Sequence, residues 1–246
     1  MPKNINKYGL IGKSIDYSFS KKFFNQKFLN ENLNNCSYEN FDIDSIEELP
    51  KVLTDYSIKG LNVTIPYKES VIKFLNYVDP IAKKIGAVNT IKVDKKKSLI
   101  GYNTDYIGFK QSIEPCISNH KKALILGTGG AAKAIVHALQ TLKIKTSLVS
   151  REKNKDYINY EAISKKVINE HTIIINCTPL GTHPNTKDSP KIPYEYISNN
   201  HLCYDLIYNP IKTKFLTKCE KAGALIINGE KMLKNQATES WKIWNS

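Results

Sequence analysis

The sequence lacks the patterns that mark membrane, secreted and metal-binding proteins. No apolar run approaches the roughly 18 residues of a membrane-spanning helix, and the opening residues, MPKNINKYGLIG, hold no apolar signal core. The five cysteines are widely spaced with no C-x-x-C pair, and the five histidines are scattered. This spacing argues against a disulfide framework or a zinc site and is typical of a reducing compartment. We therefore expect a cytoplasmic protein with no membrane contact and no metal.

Acidic residues are also few, because 36 lysines and arginines face 23 aspartates and glutamates and leave a formal net charge of +13. Such a charge is typical of proteins that bind nucleic acid or anionic ligands. The basic residues are spread thinly, however, and no arginine-rich helix or aromatic–basic RNA motif occurs. We interpret the charge as a compositional bias that helps to attract an acidic substrate and expect no nucleic-acid partner. A basic nucleic-acid-binding protein is the alternative from a different class.

The segment that follows Lys122 carries the first positive indication of function. A short apolar run ends at Leu126 and leads directly into the letters GTGG and then into helix-forming residues. Strand, glycine turn and helix are the context in which a G-x-G-x-x-G/A pattern binds a dinucleotide. Gly127 allows a tight turn, Gly129 lets a pyrophosphate approach the backbone, and Ala132 lets helix and strand pack closely. Taken alone, the pattern equally fits a glycine turn without a ligand.

Strand-like and helix-like runs alternate after this segment, which predicts a parallel sheet with helices on its faces. Strands are predicted over residues 145–149, 172–177, 203–208 and 224–228, with helices over 161–170, 213–222 and 230–244. In the first part of the chain, strands are predicted over 8–12, 36–43, 59–65, 87–93 and 99–103, with helices over 21–32, 45–55, 67–77, 79–85 and 106–114.

Lys68 stands out because Pro66 is predicted to open the helix over 67–77, which puts this lysine in its first turn. A cation is disfavoured there, and a helix N-terminus lowers the pKa of a lysine. The misplaced charge makes Lys68 a candidate functional residue, with a solvated surface lysine as the alternative.

Three other polar residues also lie at predicted helix starts. Asp105 is either an N-cap or a functional carboxylate. Ser18 and Ser20 precede the helix over 21–32, where they either cap it or help to hold an anion.

The residues that follow the second strand of a dinucleotide-binding unit determine cofactor choice. Here Ser150 and Arg151 come first, with Lys155 nearby. An arginine can pair with a 2′-phosphate through two parallel hydrogen bonds and stack on adenine, which favours NADP. Glu152 could instead bind the ribose of NAD or repel the phosphate, so NAD stays open at this point.

Six segments, together with the glycine loop, resemble the shikimate dehydrogenase family over nearly the full length. They are GLNVTIPYKE (60–69), GAVNTI (86–91), GYNTDYIGF (101–109), NCTPLG (176–181), YDLIYNP (204–210) and the C-terminal Met232-Leu233 with Gln236-Ala237. The first motif of that family usually reads His-Ser-x-Ser-Pro. This chain keeps both serines but has Tyr17 and Lys21 at the flanks.

The resemblance implies an α/β protein of two domains that face each other across a cleft. An N-terminal α/β substrate-binding domain over 1–105 would be completed by a C-terminal helix, 230–246, that returns to it. A Rossmann-type NADP-binding domain would cover 106–229. The implied activity is the reversible reduction of 3-dehydroshikimate to shikimate with NADPH, in aromatic amino-acid biosynthesis. An NAD-preferring quinate/shikimate dehydrogenase is the nearest alternative, and both a monomer and a homodimer are open.

The resemblance also implies roles for individual residues. Lys68 and Asp105 would be the catalytic pair. Ser18 and Ser20 would hold the substrate carboxylate, and the substrate hydroxyls would be bound by Thr64, Asn89, Tyr208 and Gln236. The cofactor would be bound by Gly127, Thr128, Gly129, Gly130, Ala131, Ser150, Arg151 and Lys155, with Leu206 and Gly229 near the nicotinamide.

Overall fold

A computed structural model describes residues 5–15, 18–117, 119–152 and 155–246. The chain divides into two compact units. The first unit comprises Met1–Thr104 and Ala237–Ser246, and the second unit comprises Asp105–Gln236. Tyr17, one flank of the first family motif, lies outside the described residues.

The first unit is built on a mixed sheet of six strands. The strands are β1 (Asn6–Gly12), β2 (Cys36–Asp42), β3 (Ile58–Val63), β4 (Tyr77–Val78), β5 (Thr90–Val93) and β6 (Leu99–Tyr102), in the order β2-β1-β3-β5-β6-β4. β1 runs parallel to β2 and β3, whereas β5 runs antiparallel to β3 and β6. The carboxyl ends of β1 and β3 and the amino end of β5 therefore meet at one edge of the sheet.

Helices α1 (Phe19–Asn30), α2 (Leu49–Val52) and α3 (Pro80–Ile85) belong to this unit, and side-chain caps begin α1 and α3. Ser18 is the N-cap of α1, and its hydroxyl accepts from the Ser20 N–H at 3.2 Å. Asp79 caps α3 in the same way, and Gly86 ends it with a φ of 73°. The expectation that a serine caps the first helix is thus confirmed for Ser18.

The predicted helix over residues 67–77 is wrong. The segment forms turns and then a 3₁₀ helix over Ser70–Phe74, and Tyr77 already belongs to β4. The Lys68 carbonyl accepts a hydrogen bond from the Val88 N–H at 2.7 Å, so it bonds to another segment and not to a following helical turn. Lys68 therefore does not lie in the first turn of an α-helix, and the helix-dipole argument for it does not hold.

An aromatic cluster closes one side of the first sheet. The rings of Phe24 and Tyr38 stack at 4.5 Å between centroids. Trp244, near the end of the chain, stacks on Tyr8 and donates from its indole Nε1 to the carbonyl of Ile91 at 2.9 Å. A Cβ atom on Gly60 would lie 2.3 Å from the Trp244 ring, so the glycine leaves the space that the indole fills. The last ten residues thus supply part of the core of the first unit.

The second unit is built on a sheet of six parallel strands. They are β7 (Lys122–Leu126), β8 (Lys145–Ser150), β9 (Ile158–Asn159), β10 (Ile173–Asn176), β11 (Leu202–Asp205) and β12 (Leu225–Ile227), in the order β12-β11-β10-β7-β8-β9. Counted within the unit, this is the strand order 3-2-1-4-5-6 of a Rossmann sheet. The helices are α4 (Asp105–Ile113), α5 (Gly130–Thr141), α6 (Lys165–Glu170), α7 (Lys214–Lys221) and the first residues of α8 (Glu230–Trp244). The predicted α/β class is confirmed.

The apolar strand β7 is covered on both faces, as predicted. Ala123 and Ile125 point into one core cluster, and Leu124 and Leu126 point into the other. Ala132 on α5 belongs to the first cluster and is 1% exposed, so a small side chain brings this helix close to the sheet.

Three features of the second unit differ from what the sequence predicted. The helix over 161–170 is shorter, because Ser164 caps α6 through its hydroxyl. The two-residue strand β9 was not predicted. Strand β11 ends at Asp205, well before residue 208, because the Asp205 carboxylate accepts from the Ile207 N–H at 3.1 Å and forms a turn. Over the described parts of the chain, no helix has both the length and the hydropathy of a membrane span.

Candidate functional site

Predicted substrate-binding residues gather at one sheet edge of the first unit. The Val63 N–H donates to the Asn89 carbonyl at 2.8 Å, which joins the end of β3 to the residue before β5. The hydrogen bond between Val88 and Lys68 then ties the Lys68 segment to the same place. The structure therefore brings Thr64, Lys68 and Asn89 together along the backbone.

Packing and hydrogen bonds also place Thr64 and the two serines. A Cβ atom on Gly12 would lie 2.5 Å from Thr64 Cγ2, so Thr64 packs over the end of β1. Ile15, which precedes Ser18 by three positions, donates from its N–H to the Asp42 carboxylate at 3.1 Å. Ser20 is 8% exposed, which leaves little of its side chain in contact with solvent.

Burial raises the pKa of Tyr38 well above its usual value, so the phenol stays neutral, and the Ser20 side chain acts to lower that pKa. The Tyr38 hydroxyl donates to Asn62 Oδ1 at 2.9 Å. Tyr38 is thereby the first of a series of buried polar groups.

The sequence did not predict most of these buried polar groups, which we call the polar network. Its members come from β2, β3, β5, the loops beside β5 and β6, and α8, and all are at most 4% exposed. They are Tyr38, Asn62, Asn89, Thr90, Thr104 and Ser240. Only Asn89 was among the predicted site residues. An asparagine inside the strand-like run GLNVTI is the one sign of a buried polar group that the sequence offers.

Three predicted residues lie in the second unit. Asp105 is the first residue of α4, is 5% exposed, and directly follows Thr104. Gln236 is 8% exposed and donates from Nε2 to the Leu233 carbonyl at 3.1 Å. A Cβ atom on Gly108 would lie 2.8 Å from the Gln236 nitrogen, so α4 and α8 pack closely and bring Asp105 and Gln236 to neighbouring helices. Tyr208 is half-buried in the segment after β11.

The glycine loop joins β7 to α5, as predicted. Gly127 has a φ of 109°, which side-chain-bearing residues rarely adopt. Gly129 differs, because its φ is −75° and no atom lies within 4 Å of the position of an added Cβ. Neither the backbone nor the packing of the described protein atoms requires a glycine at residue 129. No side chain caps α5, so its N-terminal N–H groups are available to an anion.

The loop lies where the strand order of the Rossmann sheet reverses, between β7 and β10. Ligands of such sheets bind in the crevice beyond the carboxyl ends of these strands. Asn176 ends β10, and its Oδ1 accepts from both the N–H and the hydroxyl of Thr178, at 3.0 and 2.6 Å. A Cβ atom on Gly127 would lie 3.3 Å from Thr178 Cγ2, so the turn after β7 and the turn after β10 lie side by side.

Asp205, at the end of β11, is a fully buried carboxylate held by neutral donors. It accepts from the Thr213 hydroxyl at 2.6 Å and from Asn176 Nδ2 and the Ile207 N–H, each at 3.1 Å. Burial raises the pKa of Asp205 to about 6, and the three hydrogen bonds act in the opposite direction.

The two residues predicted near the nicotinamide follow neighbouring strands, since Leu206 comes directly after β11 and Gly229 comes after β12. The Leu206 N–H donates to the Asn176 carbonyl at 3.1 Å, which fixes the start of the segment after β11. A Cβ atom on Gly229 would lie 2.0 Å from the Leu206 carbonyl oxygen, a distance that only glycine permits. The structure therefore brings Leu206 and Gly229 together beyond the ends of β10, β11 and β12.

The predicted 2′-phosphate residues follow β8. Ser150 is the last residue of this strand, and its hydroxyl accepts from the Glu152 N–H at 3.0 Å. Arg151, Glu152 and Lys155 are exposed. Burial raises the pKa of Tyr160 to about 12, and the nearby charge of Arg151 acts to lower it.

A parallel sheet in Rossmann order, a glycine loop at its switch point and an uncapped helix start define a dinucleotide-binding α/β protein. A family model described as shikimate dehydrogenase substrate binding domain matches residues 10–91. A shikimate dehydrogenase (NADP(+)) from Clostridium botulinum is 42% identical over 249 aligned residues, which cover 96% of this chain and 95% of that protein. The chain therefore belongs to the shikimate dehydrogenase family, as the sequence motifs predicted.

Solved structures agree in fold over nearly the whole chain. Shikimate dehydrogenase 1 from Peptoclostridium difficile superposes with a TM-score of 0.88 at 37% identity and covers 98% of this chain and 92% of its own. Shikimate 5-dehydrogenase from Thermus thermophilus, crystallised with NADP(H) and shikimate, has a TM-score of 0.86 at 28% identity and covers 98% of this chain and 93% of its own.

Proposed function

We propose that this chain catalyses the reversible NADPH-dependent reduction of 3-dehydroshikimate to shikimate, in the pathway to chorismate and the aromatic amino acids. The observation that carries the proposal is the gathering of Thr64, Lys68 and Asn89 at one edge of the first sheet. All three residues lie inside the segment 10–91, which matches a family model of a substrate-binding domain. The relatives named above are NADP(+)-dependent shikimate dehydrogenases, which supports the same reaction.

We assign the two ligands to different domains. The substrate-binding domain covers residues 1–105 with the helix over 230–246, and the NADP-binding domain covers 106–229. The compact units of the structure divide after Thr104 and within α8, after Gln236. Ser18 and Ser20 hold the substrate carboxylate, and its hydroxyls are bound by Thr64, Asn89, Tyr208 and Gln236. Such polar groups discriminate strongly, because a substrate that lacks a hydroxyl leaves them unpaired.

Lys68 is the proton donor in this proposal. Hydride addition to a ketone creates an alkoxide, and a positioned acid that protonates it contributes typically ~10²–10⁴-fold to the rate. A lysine can donate as the ammonium ion in reduction and accept as the amine in oxidation. Asp105 is the second catalytic residue, a carboxylate held at the start of α4 with 5% exposure.

The second unit fits NADP. The N–H groups at the start of α5, with the loop from Gly127 through Thr128, Gly129 and Gly130 to Ala131, bind the pyrophosphate. NADP supplies the hydride chemistry when it is bound.

Ser150, Arg151 and Lys155 bind the 2′-phosphate, and Leu206 and Gly229 lie against the nicotinamide. Arg151 is the only arginine in a sequence with 36 lysines and arginines. This guanidinium stands where it can form paired hydrogen bonds to a 2′-phosphate, which supports NADP over NAD.

The decisive experiment follows NADPH absorbance after the purified chain is mixed with shikimate and NADP⁺. We expect a rapid rise, and a much smaller rate with NAD⁺ or with quinate. A higher kcat/KM with NAD⁺ or quinate would show the quinate/shikimate alternative. No absorbance change, together with salt-sensitive retention of DNA or RNA, would replace the proposal with a nucleic-acid-binding function.

We also propose that the protein acts in the cytoplasm without nucleic acid or membrane partners, as a monomer or homodimer. All five cysteines are free thiols, which fits a reducing compartment. Light scattering on the purified chain distinguishes monomer from dimer, and a larger assembly would contradict both.

A further inference from the structure

The polar network contains hydroxyl groups that no proposed binding or catalytic step uses. Thr90 at the start of β5 and Ser240 on α8 are both fully buried, and their oxygens lie 2.8 Å apart. Thr90 Oγ1 also lies 3.1 Å from Asn89 Oδ1, and Ser240 Oγ accepts from Asn62 Nδ2 at 2.9 Å. The two hydroxyls therefore connect Asn62 to Asn89, a proposed substrate-binding residue.

The side-chain oxygen of Asn89 is occupied by donors from the protein. It accepts from the Thr104 N–H at 2.6 Å and from the Thr90 hydroxyl at 3.1 Å. An amide oxygen has two lone pairs, so these two bonds occupy it, and the Thr104 hydroxyl lies 3.3 Å away as a third and longer contact. They also fix which way the amide is turned, and Nδ2 accordingly donates to Thr104 Oγ1 at 3.0 Å. The group that Asn89 can offer to a substrate oxygen is a donor.

The Thr90 hydroxyl donates to Asn89 Oδ1 at 3.1 Å. Its other hydroxyl contacts are with Ser240 Oγ at 2.8 Å and Thr104 Oγ1 at 3.2 Å. A hydroxyl has one hydrogen, so with that of Thr90 on Asn89 the 2.8 Å contact is one in which Ser240 donates to Thr90. Ser240 in turn accepts from Asn62 Nδ2, whose amide is oriented by the Tyr38 hydroxyl on its oxygen.

We infer that Thr90 and Ser240 are positioning residues that fix Asn89 as a hydrogen-bond donor to the substrate. The inference rests on the proposed function, in which Asn89 binds a substrate hydroxyl. It adds a specificity rule, because the substrate oxygen at Asn89 must act as an acceptor. It also adds a site on α8 whose hydroxyl acts on substrate binding through two intermediate residues.

The test uses a matched pair of variants at residue 90. Thr90→Val keeps the shape of the side chain and removes the hydroxyl, whereas Thr90→Ser keeps the hydroxyl. We expect Thr90→Val to raise the KM for shikimate about tenfold, the effect of about one lost hydrogen bond. The KM for NADP⁺ should change less than about twofold, and Thr90→Ser should stay within about threefold of the wild type in both constants.

A double-mutant cycle with Asn89→Ala separates positioning from stability. If Thr90 acts through Asn89, Thr90→Val has no further effect on the shikimate KM once Asn89 is alanine. The control is Ser112→Ala, which removes a buried hydroxyl bonded to Tyr204 in the other unit and should leave the shikimate KM unchanged.

An unchanged KM in Thr90→Val, or an effect that persists in the Asn89→Ala background, would overturn the inference. If Thr90→Val does not fold, Ser240→Ala enters the same cycle with the same expected outcome. A wild-type chain that shows no turnover of shikimate with NADP⁺ refutes the proposed function, whereas normal wild-type turnover with a silent Thr90→Val refutes only the positioning inference.

Discussion

The two units bury polar side chains in different ways. The first unit buries six uncharged side chains in the polar network, where hydroxyl and amide groups hydrogen-bond to one another. The second unit instead buries the carboxylate of Asp205 at the end of a parallel strand, with three neutral donors and a pKa of about 6. Neutral groups thus fix the hydrogen-bond directions beside the proposed substrate site. The segment beside the proposed nicotinamide site, in contrast, begins at Asp205, whose pKa is about 6.

This difference matters for function because a neutral network keeps its hydrogen-bond directions over a wide pH range. A buried carboxylate changes from acceptor to partial donor when it is protonated. In the proposal, Lys68 and most substrate-binding residues belong to the first unit, and the cofactor-binding residues belong to the second unit. Substitutions that affect one unit only can test this division.

The largest effect is expected for Lys68→Ala in the first unit. Loss of the proton donor should lower kcat about 10²–10⁴-fold, with little change in the Kd of NADPH measured by fluorescence titration. Lys73→Ala is the matched control, since that exposed lysine pairs with Glu47 and lies outside the proposed site. A Lys68→Ala enzyme with near wild-type kcat would remove Lys68 from the mechanism.

A smaller and opposite pattern is expected for Arg151→Ala in the second unit. The KM for NADPH should rise about 10- to 100-fold, as for lost hydrogen bonds to a charged group, while the KM for NADH stays within about twofold. Arg151→Lys should fall between, because lysine keeps the charge but not the paired geometry. Equal changes for both cofactors would contradict a 2′-phosphate contact.

Gly129 and Gly127 offer a comparison within one loop. Gly129→Ala should leave the unfolding midpoint unchanged and raise the KM for NADPH about tenfold, because only a ligand competes with the added methyl. Gly127→Ala should lower the free energy of unfolding by about 1–3 kcal/mol, because alanine is strained at a φ of 109°. Thermal unfolding and kinetics of both variants measure this, and a destabilised Gly129→Ala would count against the ligand explanation.

The last prediction concerns the pH dependence of stability in the second unit. Between the ordinary value of 3.8 and about 6, Asp205 binds its proton more tightly in the folded chain than in the unfolded chain. The free energy of unfolding therefore falls as pH rises through this window, by at most about 3 kcal/mol from this group. Asp205→Asn should abolish this contribution to the pH dependence of the free energy of unfolding. Any effect of the amide itself on the free energy of unfolding is the same at every pH.

Urea unfolding of wild type and Asp205→Asn at several pH values between 4 and 7 gives the difference directly. Ser240→Ala is the control, because its loss should be independent of pH in this range. Parallel wild-type and Asp205→Asn curves would show that Asp205 keeps its ordinary pKa when folded.

The sequence predicted best where local patterns act alone. The apolar run before Gly127, the glycines themselves and the alternating strands and helices follow from period, propensity and turn chemistry. The helix predicted over 67–77 failed because the Lys68 carbonyl pairs with Val88, a partner 20 positions along the chain that no local rule reveals.

The candidate site residues were proposed on two kinds of ground. Local reasoning singled out the glycine loop, the polar residues at predicted helix starts and the residues after the second strand, whereas the roles of Thr64, Asn89, Tyr208 and Gln236 came only from motifs that resemble a known family. Thr90 and Ser240 show the limit, because 150 positions separate them and neither is unusual in its local sequence. Only the assembled sheet and α8 bring their hydroxyls within 2.8 Å.

Because the first unit is assembled from residues 1–104 and 237–246, its completion depends on residues that are synthesised after the whole of the second unit. Until Trp244 leaves the ribosome, the space above Gly60 is empty, and Asn62 lacks the hydroxyl of Ser240. Every strand of the second unit, by contrast, has already been translated by residue 227. We expect the nascent chain to complete its units in the reverse of their order in the sequence, so the second unit forms first and the end of α8 then completes the first unit.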